Sequence, residues 1–210
     1  MKNKPSSSVL IVGLVGSLRH ESYTRMAVKI SLRGAAEKGA QTKLVDLRDF
    51  DLPFCDGSGK EAERYPDVLR LRKEVARAQG IILGTPDYHG SFSGVLKNAL
   101  DLMGFHEFAG KVVGLVGVAG GALGAVNALN DLRKVGRSLH AWVVPQQAAI
   151  PQAWKHFLQD GSLDDLEYQK RLLEVGEEVA RFAFLLSSDE TRKFLELWEQ
   201  AMPNPGGEGR

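Results

Sequence analysis

The sequence predicts a single α/β domain with a doubly wound, five-stranded parallel sheet and helices on both faces. Two observations predict this fold class. Short aliphatic runs alternate with longer segments of helical periodicity, and several of the runs lack the polar alternation of a half-exposed strand. Strands that alternate with helices form right-handed β-α-β units, which place the strands in one parallel sheet and the helices on either side of it.

Five aliphatic runs are the predicted strands, and they cover residues 9–15, 42–47, 80–85, 111–119 and 141–150. The first, third and fourth are almost continuously apolar, as expected for strands covered on both faces. Lys2 and Lys4 precede the first run and imitate a secretory signal. The run is short, is interrupted by Gly13 and lacks a small-residue cleavage site, so we expect a buried strand instead.

Segments with an apolar stripe at helical spacing follow the strands, and they cover residues 22–39, 66–80, 93–104, 122–139 and 163–186. The second segment begins at Pro66 and ends at Gly80, the Pro-early and Gly-late asymmetry of a helix. Residues 1–186 are therefore predicted to form one domain. Residues 187–210 are predicted to form a short helix and a frayed tail. The predicted helix begins with a capping box from Ser187 to Glu190, and it has Phe194, Leu197 and Trp198 on one side.

The composition argues against two classes of partner and against a disulfide-stabilised protein. A net charge of +1, with 43% hydrophobic and 25% charged residues, argues against nucleic acid or a membrane as a partner. The single cysteine, Cys55, excludes an intramolecular disulfide and fits a reducing compartment, so we expect a cytoplasmic protein. No metal site is predicted, because no metal-ligand spacing connects the histidines, which are His20, His89, His106, His140 and His156.

The first of three unusual strand-to-helix loops is GSLRHESYTR, residues 16–25. A helix N-terminus binds anions through its unpaired N–H groups; hydroxyls and Arg19 add further donors, so a phosphate monoester would fit. The hydroxyl donors are Ser17, Ser22 and Thr24. The alternative is that Ser22 or Thr24 only caps the helix while Arg19 is solvated. The residues alone place the other long polar side chains at the surface or at a subunit contact; these are His20, Glu21, Tyr23 and Arg25.

The second and third loops would lie at the same edge of the sheet as the first. In TPDYHGSFSG, residues 85–94, a backbone bent by Pro86 and glycines could bond the polar edge of a planar ring, while Tyr88 offers an aromatic face and His89 a donor. In VAGGALG, residues 118–124, glycines permit close approach of a ligand. An ordinary Pro/Gly loop and a tight helix entry are the respective alternatives.

The two motifs GSLRHESYTR and TPDYHGSFSGVLKNALD together resemble those of the NADPH-dependent FMN reductase family, over roughly residues 9–150. The resemblance implies a flavodoxin-like fold, bound FMN and NADPH or NADH as electron donor. It implies that the FMN phosphate is bound by Ser17, Arg19 and Ser22, with Thr24 and Arg25 at or near it. It implies that the flavin ring and ribityl chain lie along Pro86, Asp87, Tyr88, His89 and Gly90, with Ser91 close behind, and that Gly120 and Gly121 flank the isoalloxazine. The family usually has Asn at Thr24 and Glu at Asp87.

The predicted activity is FMN-dependent NAD(P)H oxidoreduction, with hydride passed from NAD(P)H through FMN to a second acceptor. Quinone, azo dye, metal oxyanion and free flavin remain open as acceptors. No catalytic side chain is predicted, because a flavin carries the hydride chemistry itself. The alternatives are a non-enzymatic electron carrier of the flavodoxin type and an FMN-binding regulatory module. The resemblance also implies a homodimer or homotetramer, with Lys97 and Asp101 in structural or subunit contacts.

Overall fold

A computed structural model describes residues 9–200, with side chains as far as residue 197. Its parallel strands are β1 (Leu10–Val15), β2 (Gln41–Asp46), β3 (Gly80–Tyr88), β5 (Val112–Val118) and β6 (Trp142–Ile150), and β4 (Ser91–Phe92) pairs antiparallel with β3. The order of the parallel strands is β2-β1-β3-β5-β6. This confirms the predicted doubly wound, five-stranded parallel sheet. The strand order reverses between β1 and β3, where doubly wound folds bind their ligands.

The helices are α1 (Tyr23–Glu37), α2 (Glu61–Arg64), α3 (Pro66–Ala76), α4 (Gly94–Asp101), α5 (Phe105–Phe108), α6 (Val126–Ser138), α7 (Ala153–His156), α8 (Leu166–Leu186) and α9 (Asp189–Gln200). Helices α1 and α8 pack on one face of the sheet, and α3, α4 and α6 pack on the other. All seven residues of β5 are buried because the sheet is covered on both sides.

Helices α1 and α8 cross in very close contact. A Cβ atom placed on Gly176 of α8 would lie 1.7 Å from the Ser31 carbonyl oxygen of α1, and one on Gly34 would lie 2.2 Å from the Leu173 carbonyl oxygen. Only residues without a side chain allow the two backbones this separation. The crossing fixes α1, and therefore the loop that precedes it, relative to the sheet.

Several predicted boundaries differ from those observed. Strand β3 continues to Tyr88, so the predicted loop at residues 85–94 begins as strand and turns into a hairpin. Helix α6 begins at Val126 rather than at residue 122, because Gly124 has a φ of 69° that does not fit a helix. Short elements that the periodicity did not predict are α2, α5, α7 and a 3₁₀ turn at Leu47–Asp49.

The predicted capping box from Ser187 to Glu190 is wrong by one residue. Ser187 is the C-cap of α8, and the Ser188 Oγ accepts a hydrogen bond of 3.0 Å from the Thr191 N–H. Phe194 and Leu197 are mostly exposed. The Trp198 side chain, the predicted tail and the first eight residues lie outside the part of the chain that is described.

None of the described helices combines the length and the apolar character that crossing a membrane requires.

Candidate functional site

The three unusual loops meet in a cleft at the carboxyl ends of β1, β3 and β5, as the sequence predicts. Its closed part has a volume of about 130 Å³, and it is lined by Ser17, Arg19, Ser22, Tyr23, Thr24, Pro86, Asp87, Tyr88, Val118, Ala119, Gly120, Ala153 and Trp154. Typical ligand pockets have volumes of roughly 300–1,000 Å³, so this volume by itself is smaller than that of a site that encloses a whole ligand.

The first loop connects β1 to α1 and carries two buried serines. Ser22 is the N-cap of α1, and its Oγ accepts a hydrogen bond of 3.2 Å from the Arg25 N–H. The Ser17 Oγ accepts a longer bond, 3.4 Å, from the Arg19 N–H. Ser22 therefore caps α1, as the alternative interpretation of this loop predicted. It leaves the Ser22 hydroxyl proton free to donate, since Ser22 here uses only an acceptor position.

Most donors of the first loop have no hydrogen-bond partner in the part of the chain that the structure describes. Among the described residues, no acceptor bonds the backbone N–H groups at positions 21–24, the Arg19 guanidinium or the Thr24 hydroxyl. Thr24 is 1% exposed and lines the cleft. Buried polar groups are normally hydrogen-bonded, and a helix N-terminus attracts anions. The residues present therefore fit a phosphate monoester.

Arg25 supports this loop from outside the cleft lining. Its Nε donates to Asp46 Oδ2 at 2.5 Å, and its terminal nitrogens donate to the carbonyl oxygens of His20 and Arg19 at 2.9 and 3.3 Å. These bonds hold two carbonyls of the loop toward Arg25. Its guanidinium is thus engaged by protein groups.

The second loop is a tight hairpin at the end of β3. Pro86, Asp87 and Tyr88 line the cleft, and the chain then reverses through His89 and Gly90, whose φ angles are 56° and 81°. Two central residues with positive φ are typical of the type I′ turn that matches the twist of the strands. The Asp87 Oδ1 accepts a hydrogen bond of 3.0 Å from the Gly90 N–H, which stabilises the turn.

The remaining hairpin residues point away from the cleft lining. His89 and Gly90 are exposed at the tip. The Ser91 hydroxyl donates to Asp131 Oδ2 of α6 at 2.9 Å. Hydrogen bonds from Lys134 and Ser91 lower the pKa of the Asp131 carboxyl. The bond from Ser91 anchors the hairpin to α6 and so fixes where Tyr88 stands.

Ser93 connects the first and second loops, and the sequence reasoning missed it. This serine is 1% exposed, and its hydroxyl donates to the Gly16 carbonyl at 2.6 Å and accepts from the Leu96 N–H at 3.1 Å. Its own N–H donates to the Thr85 Oγ1 at 3.0 Å. It thus caps α4 and bonds the loop after β1 with one side chain. A serine before a helical run could have predicted the cap but not the bond to Gly16.

The third loop brings Gly120 into the cleft lining and leaves Gly121 outside it. A Cβ atom on either glycine would meet no protein atom within 4 Å, and neither has a positive φ. Neither packing nor backbone conformation within the described chain therefore requires glycine here. Close approach of a ligand remains a physical reason for it.

Four cleft residues besides Trp154 were missed by the sequence reasoning: Tyr23, Val118, Ala119 and Ala153. Tyr23 was expected at the surface, but it is half-buried and stacks on Phe157 with 5.5 Å between ring centroids. Val118 ends β5 and Ala119 follows it; both are buried and carried no signal other than hydrophobicity. Trp154 follows the carboxyl end of β6, and this position, at the edge where such sheets bind ligands, could have indicated it.

Two further sequence features can be located. Lys97 and Asp101 form an exposed ion pair of 2.7 Å along α4. Cys55 is a half-buried free thiol whose backbone N–H donates to Asn98 Oδ1 at 2.9 Å. In the described range 9–200, no group of three or more His, Cys, Asp or Glu side chains is arranged to hold a metal ion.

Comparison with known proteins gives a family and two curated relatives. The model of the NADPH-dependent FMN reductase family matches residues 9–155. The chain is 31% identical to the NADPH-dependent FMN reductase ArsH of Shigella flexneri over 183 residues, which is 85% of this chain and 70% of that protein. It is 33% identical to the FMN-dependent NADPH-azoreductase of Staphylococcus aureus (strain USA300) over 163 residues, 75% of this chain and 86% of that one.

A solved structure shows the same fold. FerB, a flavoenzyme NAD(P)H:(acceptor) oxidoreductase from Paracoccus denitrificans, superimposes with a TM-score of 0.70 at 23% identity. The match covers 83% of this chain and 97% of FerB.

Proposed function

The chain belongs to the NADPH-dependent FMN reductase family, and we propose that its cleft holds FMN with the phosphate in the first loop and the ring against the second. The protein is an FMN-dependent NAD(P)H oxidoreductase. When bound, FMN supplies the chemistry, because it accepts hydride from the nicotinamide and passes electrons to a second acceptor. The protein's own residues bind and orient the participants.

The phosphate site would consist of Ser17, Arg19, Ser22 and Thr24, together with the N-terminal amides of α1. Arg19 would supply a charge-assisted hydrogen bond, and the hydroxyls would fill the remaining acceptor positions of the phosphate oxygens. Thr24 keeps a donor where the family usually has an amide. Arg25 would contribute by bonding the carbonyls of Arg19 and His20, so that the N–H groups of the loop stay available to the phosphate.

The ring site would consist of the end of β3 and the third loop. Pro86, Asp87 and Tyr88 would lie along the ribityl chain and the ring, and Gly120 would let the main chain approach the isoalloxazine. His89, Gly90 and Gly121 would form its exposed rim, while Ser91 fixes the hairpin through Asp131. No side chain of the cleft needs to act as an acid or base for this reaction class.

The observation that carries the proposal is the set of donors at the start of α1 that find no acceptor among residues 9–200, beside Arg19 and at the point where the strand order reverses. The test is to purify the protein, add FMN and follow its absorbance while NADPH is added without oxygen. Bound flavin that NADPH bleaches is the expected result. A protein that does not take up added FMN contradicts the proposal.

We also propose that the second acceptor is a small planar molecule, with an azo dye or a quinone as the first to screen. The azoreductase activity named for the Staphylococcus aureus relative supports including azo dyes. Metal oxyanions and free flavin belong in the same screen. Steady NADPH consumption with one of these acceptors, and no added partner protein, is expected of an enzyme. An electron carrier or a regulatory module would give almost none.

We propose further that the protein is a cytoplasmic homodimer or homotetramer, in which residues 1–186 form the FMN-binding domain and residues 187–210 an appendage. Large apolar side chains exposed on the loops beside the cleft but outside its lining support an assembly; these are Leu18 and Leu123. Sedimentation at several protein concentrations tests the oligomeric state, and a monomer at all of them contradicts it.

A further inference from the structure

Trp154 stands at the wall of the cleft that is formed by the segment after β6. The side chain is 58% exposed although it is large and apolar, and it lines the same cleft as Arg19 and Gly120. Trp142 is exposed to a similar degree, at 67%, but it does not line the cleft; the Trp154 indole is both exposed and placed where a ligand in the cleft could contact it.

The backbone holds Trp154 in a fixed position relative to the third loop. The Ala153 N–H donates to the Ala119 carbonyl at 2.9 Å, and the Gln152 N–H donates to the Gly121 carbonyl at 3.1 Å. Gln152 has a φ of 41° and a ψ of 46°, the left-handed region that non-glycine residues seldom occupy. Strained residues of this kind are found at ligand sites, where the surrounding contacts maintain them.

The same segment is joined to the first loop. Phe157 is 7% exposed, and its ring stacks on that of Tyr23, the first residue of α1. The Phe157 N–H donates to the Ala153 carbonyl at 3.1 Å, which closes the single turn of α7 on which Trp154 stands. The backbone segment that carries Trp154 is thereby held against two of the three loops that form the cleft.

The indole ring itself has few protein neighbours. Within the part of the chain that is described, the one ring interaction it makes is with Lys155, whose Nζ lies 5.1 Å from the ring centroid. The other aromatic side chains of the cleft are those of Tyr23, the first residue of α1, and Tyr88, the last residue of β3. An aromatic ring at the open side of such a cleft is suited to pack against a planar conjugated ligand.

We propose that Trp154 is an FMN-binding residue whose indole packs against the bound flavin and closes the cleft on the side of β6. The inference rests on the proposed binding of FMN in this cleft. It assigns α7 a function in cofactor retention, and it explains why a residue in a strained conformation precedes an exposed tryptophan.

The test uses the full-length protein freed of flavin, with the variants Trp154→Ala and Trp154→Phe. Trp142→Ala is the matched control. Trp142 is also an exposed tryptophan, at 67%, but it begins β6 and therefore lies at the opposite edge of the sheet from the cleft. Equilibrium dialysis gives the FMN dissociation constant. Steady-state emission gives the fluorescence of the bound flavin, which an indole in contact quenches by electron transfer.

Trp154→Ala is expected to raise the FMN dissociation constant about 2- to 12-fold, the range for loss of an aromatic pair. Trp154→Phe should recover most of the affinity, yet leave the bound flavin more fluorescent than in the parent protein. Trp142→Ala should change neither value. The melting temperature of the flavin-free Trp154 variants should be unchanged, because the side chain is largely exposed.

Different failures separate the two proposals. If the parent protein binds FMN and both Trp154 variants bind it equally well with unchanged fluorescence, the inference is overturned and the proposed function stands. If Trp154→Ala changes the KM of NADPH or of the acceptor but not the FMN affinity, the inference is overturned as well, and Trp154 contacts the second substrate. If the parent protein does not bind FMN, the proposed function itself fails.

Discussion

Arg19 and Arg25 show how two arginines six residues apart acquire different tasks. Arg25 bonds Asp46 and two loop carbonyls, so its charge is compensated within the protein. Arg19 is exposed beside the same loop, and no ion pair or hydrogen bond of its guanidinium occurs among residues 9–200. The sequence alone ranked Arg19 above Arg25 only through its position. The structure supplies the reason, since only one of the two guanidinium groups is free to meet a ligand.

We predict that Arg19→Ala weakens FMN binding by about 1.5–3 kcal/mol, the usual contribution of a hydrogen bond to a charged group. Riboflavin lacks the phosphate, so its affinity should be nearly unchanged by the same substitution. Titration calorimetry with both flavins measures this difference. Lys29→Ala is the control, because Lys29 is an exposed cation of α1 that does not line the cleft. Equal losses for FMN and riboflavin would show that Arg19 does not contact the phosphate.

At the scale of elements, α4 and the loop after β1 are joined through one hydroxyl. Ser93 caps α4 and bonds the Gly16 carbonyl, which brings residues 77 positions apart into one network. The first loop can therefore not move freely relative to the hairpin. Since the phosphate and the ring of FMN are proposed to bind on these two loops, their spacing matters for affinity as well as for stability.

We predict that Ser93→Ala lowers the free energy of unfolding by about 0.5–2 kcal/mol, as expected for a lost N-cap, and also weakens FMN binding. Ser93→Thr should restore both, because threonine keeps the hydroxyl. Asp165→Ala is the matched control, since Asp165 caps α8 through the N–H groups of Glu167 and Tyr168, away from the cleft. Chemical denaturation and FMN titration give the two quantities. If the FMN affinity of Ser93→Ala is unaltered, Ser93 acts only as the N-cap of α4.

The crossing of α1 and α8 gives a second prediction for elements. Gly176→Ala is expected to lower the free energy of unfolding by about 1–3 kcal/mol or more, because its Cβ would collide with the backbone at Ser31 and the core must shift. Gly94→Ala, in the first turn of α4 with no atom within 4 Å of the added Cβ, should be neutral or slightly stabilising. Equal stabilities of the two variants in urea would contradict the close crossing.

At the scale of the whole molecule, the two edges of the sheet differ. The carboxyl ends of the strands form the cleft, and the amino ends carry a half-buried lysine that bonds main-chain carbonyls. Lys111 lies immediately before β5 at the amino edge, and its Nζ donates to the carbonyls of Val75 and Ala76 at the end of α3, at 2.8 and 2.6 Å. Burial lowers the pKa of Lys111 from 10.5 to about 8, and the nearby Glu107 carboxylate opposes the shift. Its charged form is therefore less favourable in the folded than in the unfolded state.

The sign of the pH dependence follows from this lowered pKa. Between about pH 8 and pH 10.5 the folded protein has released the Lys111 proton while the unfolded chain still holds it. The unfolded state then binds more protons, so the free energy of unfolding rises with pH in this window through Lys111. We predict that stability of the parent protein increases from pH 8 to pH 10.5 relative to Lys111→Met, measured by urea denaturation at several pH values. If the difference in the free energy of unfolding between the parent protein and Lys111→Met stays constant over these pH values, the lowered pKa is contradicted.

Much of the fold could be predicted because its signals are local. The continuous aliphatic runs of β1, β3 and β5 and the start of α3 at Pro66 are read from neighbouring residues, and the sheet they imply is observed. The predicted end of this helix at Gly80 is wrong, because α3 ends at Ala76 and Gly80 begins β3. The extension of β3 to Tyr88 was not predicted, because it depends on pairing with β4. The cap of α9 was placed on Ser187 instead of Ser188, because two adjacent serines are equivalent until the end of α8 decides between them.

The sequence by itself determined that the chain is an α/β protein and that three polar or glycine-rich loops follow its apolar strands, since hydrophobic periodicity and loop composition are properties of short segments. Only the tertiary structure decided which of those residues face one cleft. It placed Arg19 at the cleft and Arg25 against Asp46, made Ser93 a link between two loops, and brought Trp154 to the open wall. These depend on contacts between residues far apart in the chain, which arise only when the strands are ordered and the helices packed.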